Sequence, residues 1–438
     1  MVIMKFGGTS VGSAARMNEV ANLVLAEQRP KIVVLSAMSG TTNALVEISS
    51  YLHQHNVVAA AEKILELEAK YKQVVKDLYS TNSFIEKGEQ LINEHFKFLK
   101  SFTEDLFTIH EEKAVLAEGE LLSTALFYLF LQEKNIPSKL IPALDFMRID
   151  ADNEPEIPFI TQHIAPFVAG EEDKIIITQG FICRNAFGEI DNLKRGGSDY
   201  TASLIGAAIQ ADEIQIWTDI DGMHNNDPRV VDKTVPIEEL SFEEAAELAY
   251  FGAKILHPSS VLPAKLKNIP VKLLNTLQPK AKGTVISNKT QGGQIKAVAA
   301  KDGITAIKIR SGRMLLAYGF LRTVFEVFER YKTSIDLITT SEVAISVTID
   351  DAKFLPEILA DLKKFGTVEV DENQAIVCIV GDFIAENKGL AASIFKALET
   401  ISIRMISYGG SKNNVSILVS ADDKIKALQL LNREVFKL

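Results

Sequence analysis

Lys5 is separated from Gly7-Gly8 by Phe6 alone, and Arg195 immediately precedes Gly196-Gly197. Each glycine pair is followed by small hydroxyl side chains, Thr9-Ser10 in the first case and Ser198 in the second. A cation beside paired glycines suits an anion, because glycine lets backbone N–H groups converge without Cβ obstruction. A helix N-terminus next in the chain adds its dipole, and phosphate is the natural guest. Gly7 and Gly8 are therefore candidate phosphate contacts. The loop is not a Walker A motif, since Gly7-x-x-x-x-Gly12 is followed by Ser13 where that motif requires lysine. Arg229 and Lys254 are two further cations beside proline or glycine turns. With Lys5 they make the set that a nucleoside triphosphate needs. Asp199, set among these cations, suits an ammonium group or a metal-bound water.

Other chemistries fit less well. Asp219-x-Asp221-Gly222 begins like a calcium loop, but Met223 to Asp232 does not supply the remaining ligands. A turn presenting Thr218 and Asp219 to a nucleotide fits better. His53, His55, His95 and His110 lack metal-ligand spacing, and in His110-Glu111-Glu112 the fifth position is Ala114 rather than the second histidine of a zincin. No protein metal ligands are predicted. Glu118 and Glu120 are expected in the first turn of a helix opening at Ala117, where the dipole favours carboxylates. Glu120 has a second reading, as partner of a substrate ammonium. No Ser–His or Cys–His nucleophile is evident.

These residues need elements to position them. Val2–Phe6 reads as a buried strand leading to a helix from Ala14 through Val24, capped by Thr9 or Ser10. Lys31–Gly40 is a second β-branched run, buried on both faces and ending in the polar loop Ser36, Ser39, Gly40, Thr41 and Thr42. Open α/β sheets place ligands at such strand ends. His53 to Phe107 shows helical periodicity among many Lys and Glu, which predicts an insertion of two or three amphipathic helices. Leu140–Leu144 reads as a short strand and Pro155–Phe167 as a connection. Lys174–Ile182 and Glu213–Gly222 are further strands, and a small-residue helix covers Ser203–Ile209. Ser241-x-x-Glu244 is a capping box for a helix over Phe242–Tyr250.

With 438 residues, roughly three domains are expected. A hydrophobic content of 47% with 24% charged residues is ordinary for a globular chain, and a net charge of −10 argues against a nucleic-acid partner. Cys183 and Cys378 lie far apart, so no disulfide framework is expected. Neither a signal peptide nor an apolar run of membrane-spanning length is read, which points to a cytoplasmic protein without a membrane partner. Lys280–Gln294 is placed as the domain boundary. Beyond it a βαββαβ pattern over 304–371 nearly repeats over 374–438. The second copy lacks one strand, which Ile295–Ala300 can supply.

Lys5-Phe-Gly-Gly-Thr-Ser-Val11, Arg195-Gly-Gly-Ser-Asp199, Trp217-Thr-Asp-x-Asp-Gly222, Asp227-Pro-Arg229 and Phe251-Gly-Ala-Lys254 resemble, in order and spacing, the motifs of the aspartate kinases. The resemblance implies an α/β amino-acid kinase fold, a mostly parallel sheet between helical layers, over 1–290 with its helical insertion at about 53–112. Two ferredoxin-like ACT domains follow within 295–438. It implies Mg-ATP as cofactor and phosphorylation of the β-carboxylate of L-aspartate, the step towards lysine, threonine and methionine. Ser36, Thr42, Glu120, Phe181, Arg195, Ser198 and Asp199 would then surround aspartate. Thr218, Asp219, His224, Arg229, Lys254 and Ile255 would surround ATP, with Lys5 neutralising the transferring phosphoryl group. His224 replaces a tyrosine frequent in the family. Met314, Gly319, Phe320, Leu321, Asp336, Ser341 and Glu342 resemble the effector site of lysine-inhibited members, with Ala317 where that pattern has serine. Loss of that hydroxyl would weaken lysine binding by roughly 1 kcal/mol. The likeness further implies a homodimer or dimer of dimers through the ACT domains, and a monofunctional type with no homoserine dehydrogenase domain. The competing readings are a glutamate or UMP kinase-like enzyme of the same fold, and a non-catalytic amino-acid sensor.

Overall fold

The computed structural model describes residues 1–104, 106–171, 174–193, 196–252, 256–289, 294–314, 318–382 and 386–438. The chain forms two compact units. The first comprises Met1–Met223, Glu238–Phe242 and Leu256–Asn288, and the second His224–Ile237, Glu243–Ile255 and Lys289–Leu438.

In chain order up to residue 288 the elements begin with β1 (Val2–Phe6), α1 (Ala14–Ala26), β2 (Lys31–Leu35), α2 (Thr41–His53), α3 (Val57–Leu78), α4 (Asn82–Ser101) and α5 (Ile109–Glu133). There follow β3 (Ser138–Leu140), α6 (Ile157–Val168), β4 (Ile175–Gln179), a hairpin of β5 (Ile182–Arg184) and β6 (Ile190–Asn192), α7 (Gly197–Ile209) and β7 (Glu213–Thr218). Last come β8 (Glu239–Ser241), α8 (Phe242–Tyr250), α9 (Leu262–Leu266), β9 (Val271–Asn275) and β10 (Thr284–Ser287). Eight strands form one sheet in the order β3-β4-β2-β1-β7-β9-β10-β8. Only the β9–β10 pair is antiparallel. All five residues of β1 and of β4 are buried, as strands covered by helices on both faces must be. Chain order reverses at β1, which pairs with β2 on one side and β7 on the other. Lys5 therefore lies at the end of a central strand, at the switch point where such sheets hold ligands.

The expected insertion is present as α3 and α4. Ile64, Leu67, Tyr71, Val74 and Val75 turn inward along α3 while Leu65 faces solvent. Phe96 of α4 is fully buried, with its ring 5.9 Å from that of Tyr71.

Three local expectations are corrected. The cap of α1 is Ser13, whose side chain accepts from the Arg16 N–H, and not Thr9 or Ser10. Helix α5 opens at Ile109 behind a Thr108–Glu111 capping box, eight residues before Ala117, so Glu118 and Glu120 lie mid-helix and owe nothing to its N-terminal dipole. This 25-residue helix is long and apolar enough to cross a bilayer by composition. It is nevertheless a core helix, with Leu122, Leu126, Phe127 and Leu131 fully buried. The stretch read as a connection is α6, in which Pro158 occupies the tolerated first turn and Pro166 lies near the end.

The second unit carries β11 (Ile295–Arg310), α10 (Phe320–Arg330), β12 (Ile338–Thr340), β13 (Ala344–Ile349), α11 (Leu355–Leu362), β14 (Thr367–Gly381), α12 (Leu390–Ala397), β15 (Met405–Tyr408), β16 (Asn414–Ser420) and α13 (Lys424–Val435). Its sheet runs β12-β13-β11-β14-β16-β15. Long β11 and β14 pass through both copies of the repeat. Ile295 to Lys301 pair with Ile376 to Gly381, and Ile304 to Arg310 with Thr367 to Gln374, the register shifting between. Each half has its own core, around Val324, Phe328 and Val347 in one and Val377, Ile417 and Leu428 in the other.

Truncating Phe96 to Ala should cost about 3–5 kcal/mol of stability by opening a cavity between α3 and α4. A urea titration measures this, and a cost under about 1 kcal/mol would deny Phe96 its place in the core.

Candidate functional site

Lys5 is buried, yet its ammonium is not alone. Its Nζ lies 2.6 Å from Asp199 Oδ1, in the first turn of α7. Removing a charge from water is costly without such a partner. The Gly7 N–H donates to the Trp217 carbonyl at 3.3 Å, extending the β1–β7 ladder. This corrects the expectation that both glycines offer free N–H groups. Gly8 contributes by closeness instead, because a Cβ there would lie 2.8 Å from the Ala37 carbonyl oxygen.

Gly8, Ser36, Thr42, Glu120, Phe181 and Ser198 line one cavity of about 390 Å³ in the first unit. The expected aspartate residues among the described ones thus come together, with Asp199 next in chain to Ser198. Arg195 lies outside the described residues, as do Lys254 and Ile255 of the expected nucleotide set. Ser36 Oγ donates to Ser198 Oγ at 2.9 Å. The bend holding Phe181 is tightly determined: a Cβ on Gly180 would sit 2.3 Å from Ser198, and Phe181 itself has φ +66°. Its N–H donates to Thr201 Oγ1 at 2.9 Å, which holds this left-handed residue in place.

Glu120 is 4% exposed, and its Oε1 accepts from the Ala37 N–H at 3.1 Å. Its Oε2 is buried with no hydrogen-bond partner among the described residues. Burial pushes its carboxyl up to about 8, and the Ala37 N–H opposes this only in part. The shift favours the protonated acid, whose second oxygen has no partner among the described residues. An ammonium ligand would restore its charge.

The structure adds residues that the sequence did not single out. Ala37, Met38, Ser39 and Asn43 share the cavity wall. From the helical insertion, Lys70 Nζ donates to the Ser39 carbonyl at 2.7 Å, and the fully buried Tyr71 hydroxyl bonds Thr41 Oγ1 at 2.9 Å. Their signal in the sequence was only their place on the inner or near face of α3.

Thr218 closes a local turn by accepting from the Ile220 N–H at 3.2 Å, leaving Asp219 exposed. His224 and Arg229 belong to the second unit. There His224 Nδ1 lies 2.7 Å from Thr234 Oγ1, and Arg229 forks onto Asp227 at 2.7 and 2.9 Å with its side chain 79% exposed. That pairing holds the Asp227 carboxyl below its ordinary range.

The expected effector residues do not gather into one cavity among the described residues. Gly319 and Phe320 line an open depression of about 490 Å³ at the start of α10. Met314 packs against the adjacent core, Leu321 is exposed, and Ser341 and Glu342 sit exposed between β12 and β13. Asp336 is buried and already engaged. Its Oδ1 accepts from Tyr250 Oη at 2.6 Å and from Lys301 Nζ at 2.9 Å. Lys301 also meets Asp350 at 2.7 Å. Burial lowers the affinity of Lys301 for its proton, but Asp350 and Asp336 outweigh it and hold the ammonium above its ordinary value. Ala317 lies outside the described residues.

Among the described residues no three His, Cys, Asp or Glu side chains cluster to hold a metal ion. Cys183 and Cys378 are buried free thiols.

A mostly parallel sheet with a buried lysine at its switch point and a small hydroxyl-lined cavity beside it defines a phosphoryl-transfer scaffold of the amino-acid kinase class. Residues 1–275 match the amino acid kinase family, and residues 377–435 match an ACT domain. Along its whole length the chain is 34% identical to lysine-sensitive aspartokinase 3 of Escherichia coli, covering 99% of that protein. It is 33% identical to chloroplastic aspartokinase 1 of Arabidopsis thaliana, over 99% of this chain and 80% of the relative. The solved E. coli aspartokinase III with aspartate and ADP superposes with a TM-score of 0.85 at 34% identity, covering 100% of both chains. The same enzyme with lysine and aspartate gives 0.80 at 35% identity, covering 100% of this chain and 99% of that one. The chain belongs to the aspartokinase family and is a kinase.

Glu120 makes stability depend on pH in a defined direction. Its folded-state affinity for a proton exceeds that of the unfolded chain, so the stability it allows is full below about pH 4.5 and is lost as pH rises through about 8. Relative to wild type, Glu120→Gln should gain up to about 5 kcal/mol between those limits. Urea midpoints of the two proteins that run parallel from pH 5 to pH 8 would contradict this.

Proposed function

We propose that the chain phosphorylates the β-carboxylate of L-aspartate with ATP, which enters as its Mg²⁺ complex, and that the cavity around Glu120 holds the amino acid. The observation that carries this reading is a buried carboxyl with an unpartnered oxygen, at a small hydroxyl-lined cavity whose wall includes Ser198, the chain neighbour of the Asp199 that pairs with Lys5. A substrate ammonium supplies what Glu120 lacks. Ser36, Thr42 and Ser198 offer hydroxyls to the substrate carboxylates, and Phe181 closes one side. Arg195 is assigned to the same substrate by the family motif.

Phosphoryl transfer to a carboxylate needs positioning and charge stabilisation, with little covalent work by the protein. The acceptor is ionised before it binds, so no general base enters. Lys5 neutralises charge on the transferring phosphoryl group, and Asp199 keeps the ammonium aimed along the end of β1. Magnesium comes with the nucleotide phosphates, in keeping with its preference for phosphate and water over an all-protein cage. The family motifs give the nucleotide to Lys5, Gly8, Thr218, Asp219, His224, Arg229, Lys254 and Ile255, while Gly7 supports the turn through its bond to Trp217.

Residues 1–290 are assigned as the catalytic domain, with the insertion at 53–112. The repeat is assigned as tandem ACT domains over about 304–371 and 295–301 plus 374–438, in line with how β11 and β14 pair. These domains are the proposed seat of lysine feedback. Edge strands β12 and β15, with exposed Ile338, Ile406 and Tyr408, suit association into a homodimer or dimer of dimers in the cytoplasm. At the effector carboxylate of Asp336, a lysine ligand must compete with the ammonium of Lys301.

Hydroxylamine trapping tests the reaction. Aspartyl hydroxamate should form only with ATP, Mg²⁺ and L-aspartate together, and Lys5→Ala should lower its formation at least 1000-fold. Product from Lys5→Ala at near wild-type rate would remove the proposed role. Between pH 6 and pH 8 the KM for aspartate should fall as Glu120 ionises more readily, and Glu120→Gln should raise KM and flatten the profile. For the effector, millimolar lysine should suppress hydroxamate formation in the wild type and not in Asp336→Asn. Equal inhibition of both would exclude Asp336 from the lysine site.

A further inference from the structure

Three buried asparagines of the second unit form a closed network that the proposed reaction does not use. Asn225, Asn226 and Asn432 are each no more than 5% exposed. Asn432, on α13 near the end of the chain, accepts at Oδ1 from Asn225 Nδ2 at 3.2 Å and Asn226 Nδ2 at 3.4 Å. Its own Nδ2 donates to the Lys233 carbonyl at 3.0 Å. Asn226 Nδ2 also donates to the Leu428 carbonyl at 3.0 Å, one helical turn earlier on α13. Asn225 Oδ1 accepts from the Val235 N–H at 2.7 Å, and its backbone carbonyl accepts from Val298 of β11 at 2.8 Å.

The geometry fixes the amide orientation, since turning Asn432 over would set its Nδ2 against two other Nδ2 groups and its Oδ1 against a carbonyl. The network grips both arms of the segment His224–Ile237. Asn225 and Asn226 lie on the outgoing arm and Lys233 and Val235 on the returning one, with His224 bridged to Pro236 at the base. Between the arms lies Arg229. Val230 beside it packs against the core of the second ACT half, and its carbonyl receives Gln429 of α13 at 3.4 Å. A buried polar cluster with every member satisfied holds one geometry, and opening it strands donors and acceptors away from water.

We propose that Asn432 is a positioning residue for the nucleotide: by clamping both arms of the 224–237 segment it presents Arg229 to the ATP phosphates. The inference rests on the nucleotide assignment of Arg229 given above. It makes a side chain on the C-terminal helix, some two hundred residues from Arg229 in sequence, a determinant of ATP affinity and not of aspartate affinity. A displacement of α13 would be read as a change in the KM for ATP.

The test compares Asn432→Ala, Asn432→Asp, Arg229→Ala and the double variant Asn432→Ala/Arg229→Ala in the full chain. Asn432→Ala should raise the KM for ATP about tenfold, with kcat and the KM for aspartate within twofold of wild type. Asn432→Asp keeps the acceptor but loses the donor to Lys233, and should give a smaller rise. The double variant should have the KM for ATP of Arg229→Ala alone. Should Asn432→Ala not fold, Asn432→Asp with and without Arg229→Ala provides the same comparison. The inference is overturned if the KM for ATP is unchanged, if both KM values and kcat deteriorate together, or if the two substitutions act additively. If Arg229→Ala itself leaves the KM for ATP unchanged, the nucleotide assignment is what fails, and the inference falls with it.

Discussion

A lysine ammonium at the end of a strand buried on both faces must be paired, and the Lys5–Asp199 contact meets that constraint. It ties the end of β1 to the first turn of α7, and so fixes Ser198 next to Asp199. Ser198 in turn lies so close to Gly180 that no side chain fits there, which sets the bend presenting Phe181. Ser36, at the end of β2, is joined to the same point through its bond to Ser198. The cavity is thus assembled from the ends of adjacent parallel strands around one ion pair. A pair of this kind adds little net stability, but losing one partner leaves an uncompensated buried charge. Its value is in positioning.

Glu120 shows the complementary strategy. Where Lys5 is satisfied within the protein, Glu120 is left short of one partner. Desolvation raises the affinity of this carboxyl for its proton, and a cationic group placed against the free oxygen would oppose that shift. In the second unit the asparagine network is satisfied internally, whereas Asp336 is held by Tyr250 and Lys301 at Oδ1 and, like Glu120, keeps one carboxyl oxygen buried without a hydrogen-bond partner among the described residues.

The parallel core was legible because strands covered on both faces read as unbroken apolar runs, as in Val2–Phe6 and Lys31–Leu35. The glycine motifs were legible because close approach admits no other residue, as at Gly8. Helix α6 was hidden by Pro158 and Pro166, although proline in a first turn is also a start signal. The start of α5 was missed because Thr108 and Glu111 sit in a polar stretch, although their spacing is that of a capping box. The difference bears on Glu120, which mid-helix is buried with one oxygen unpartnered. The Gly7 N–H and the partners of Asp336 depend on pairings between distant strands and helices, for which local periodicity carries no signal.

The most direct test of the central claim is a double-mutant cycle on kcat/KM with Lys5→Met and Asp199→Asn. If Asp199 acts by aiming Lys5, each single variant loses activity, and adding Asp199→Asn to Lys5→Met costs little more. Full additivity of the two losses would mean that Asp199 works independently of the lysine, and would contradict the account.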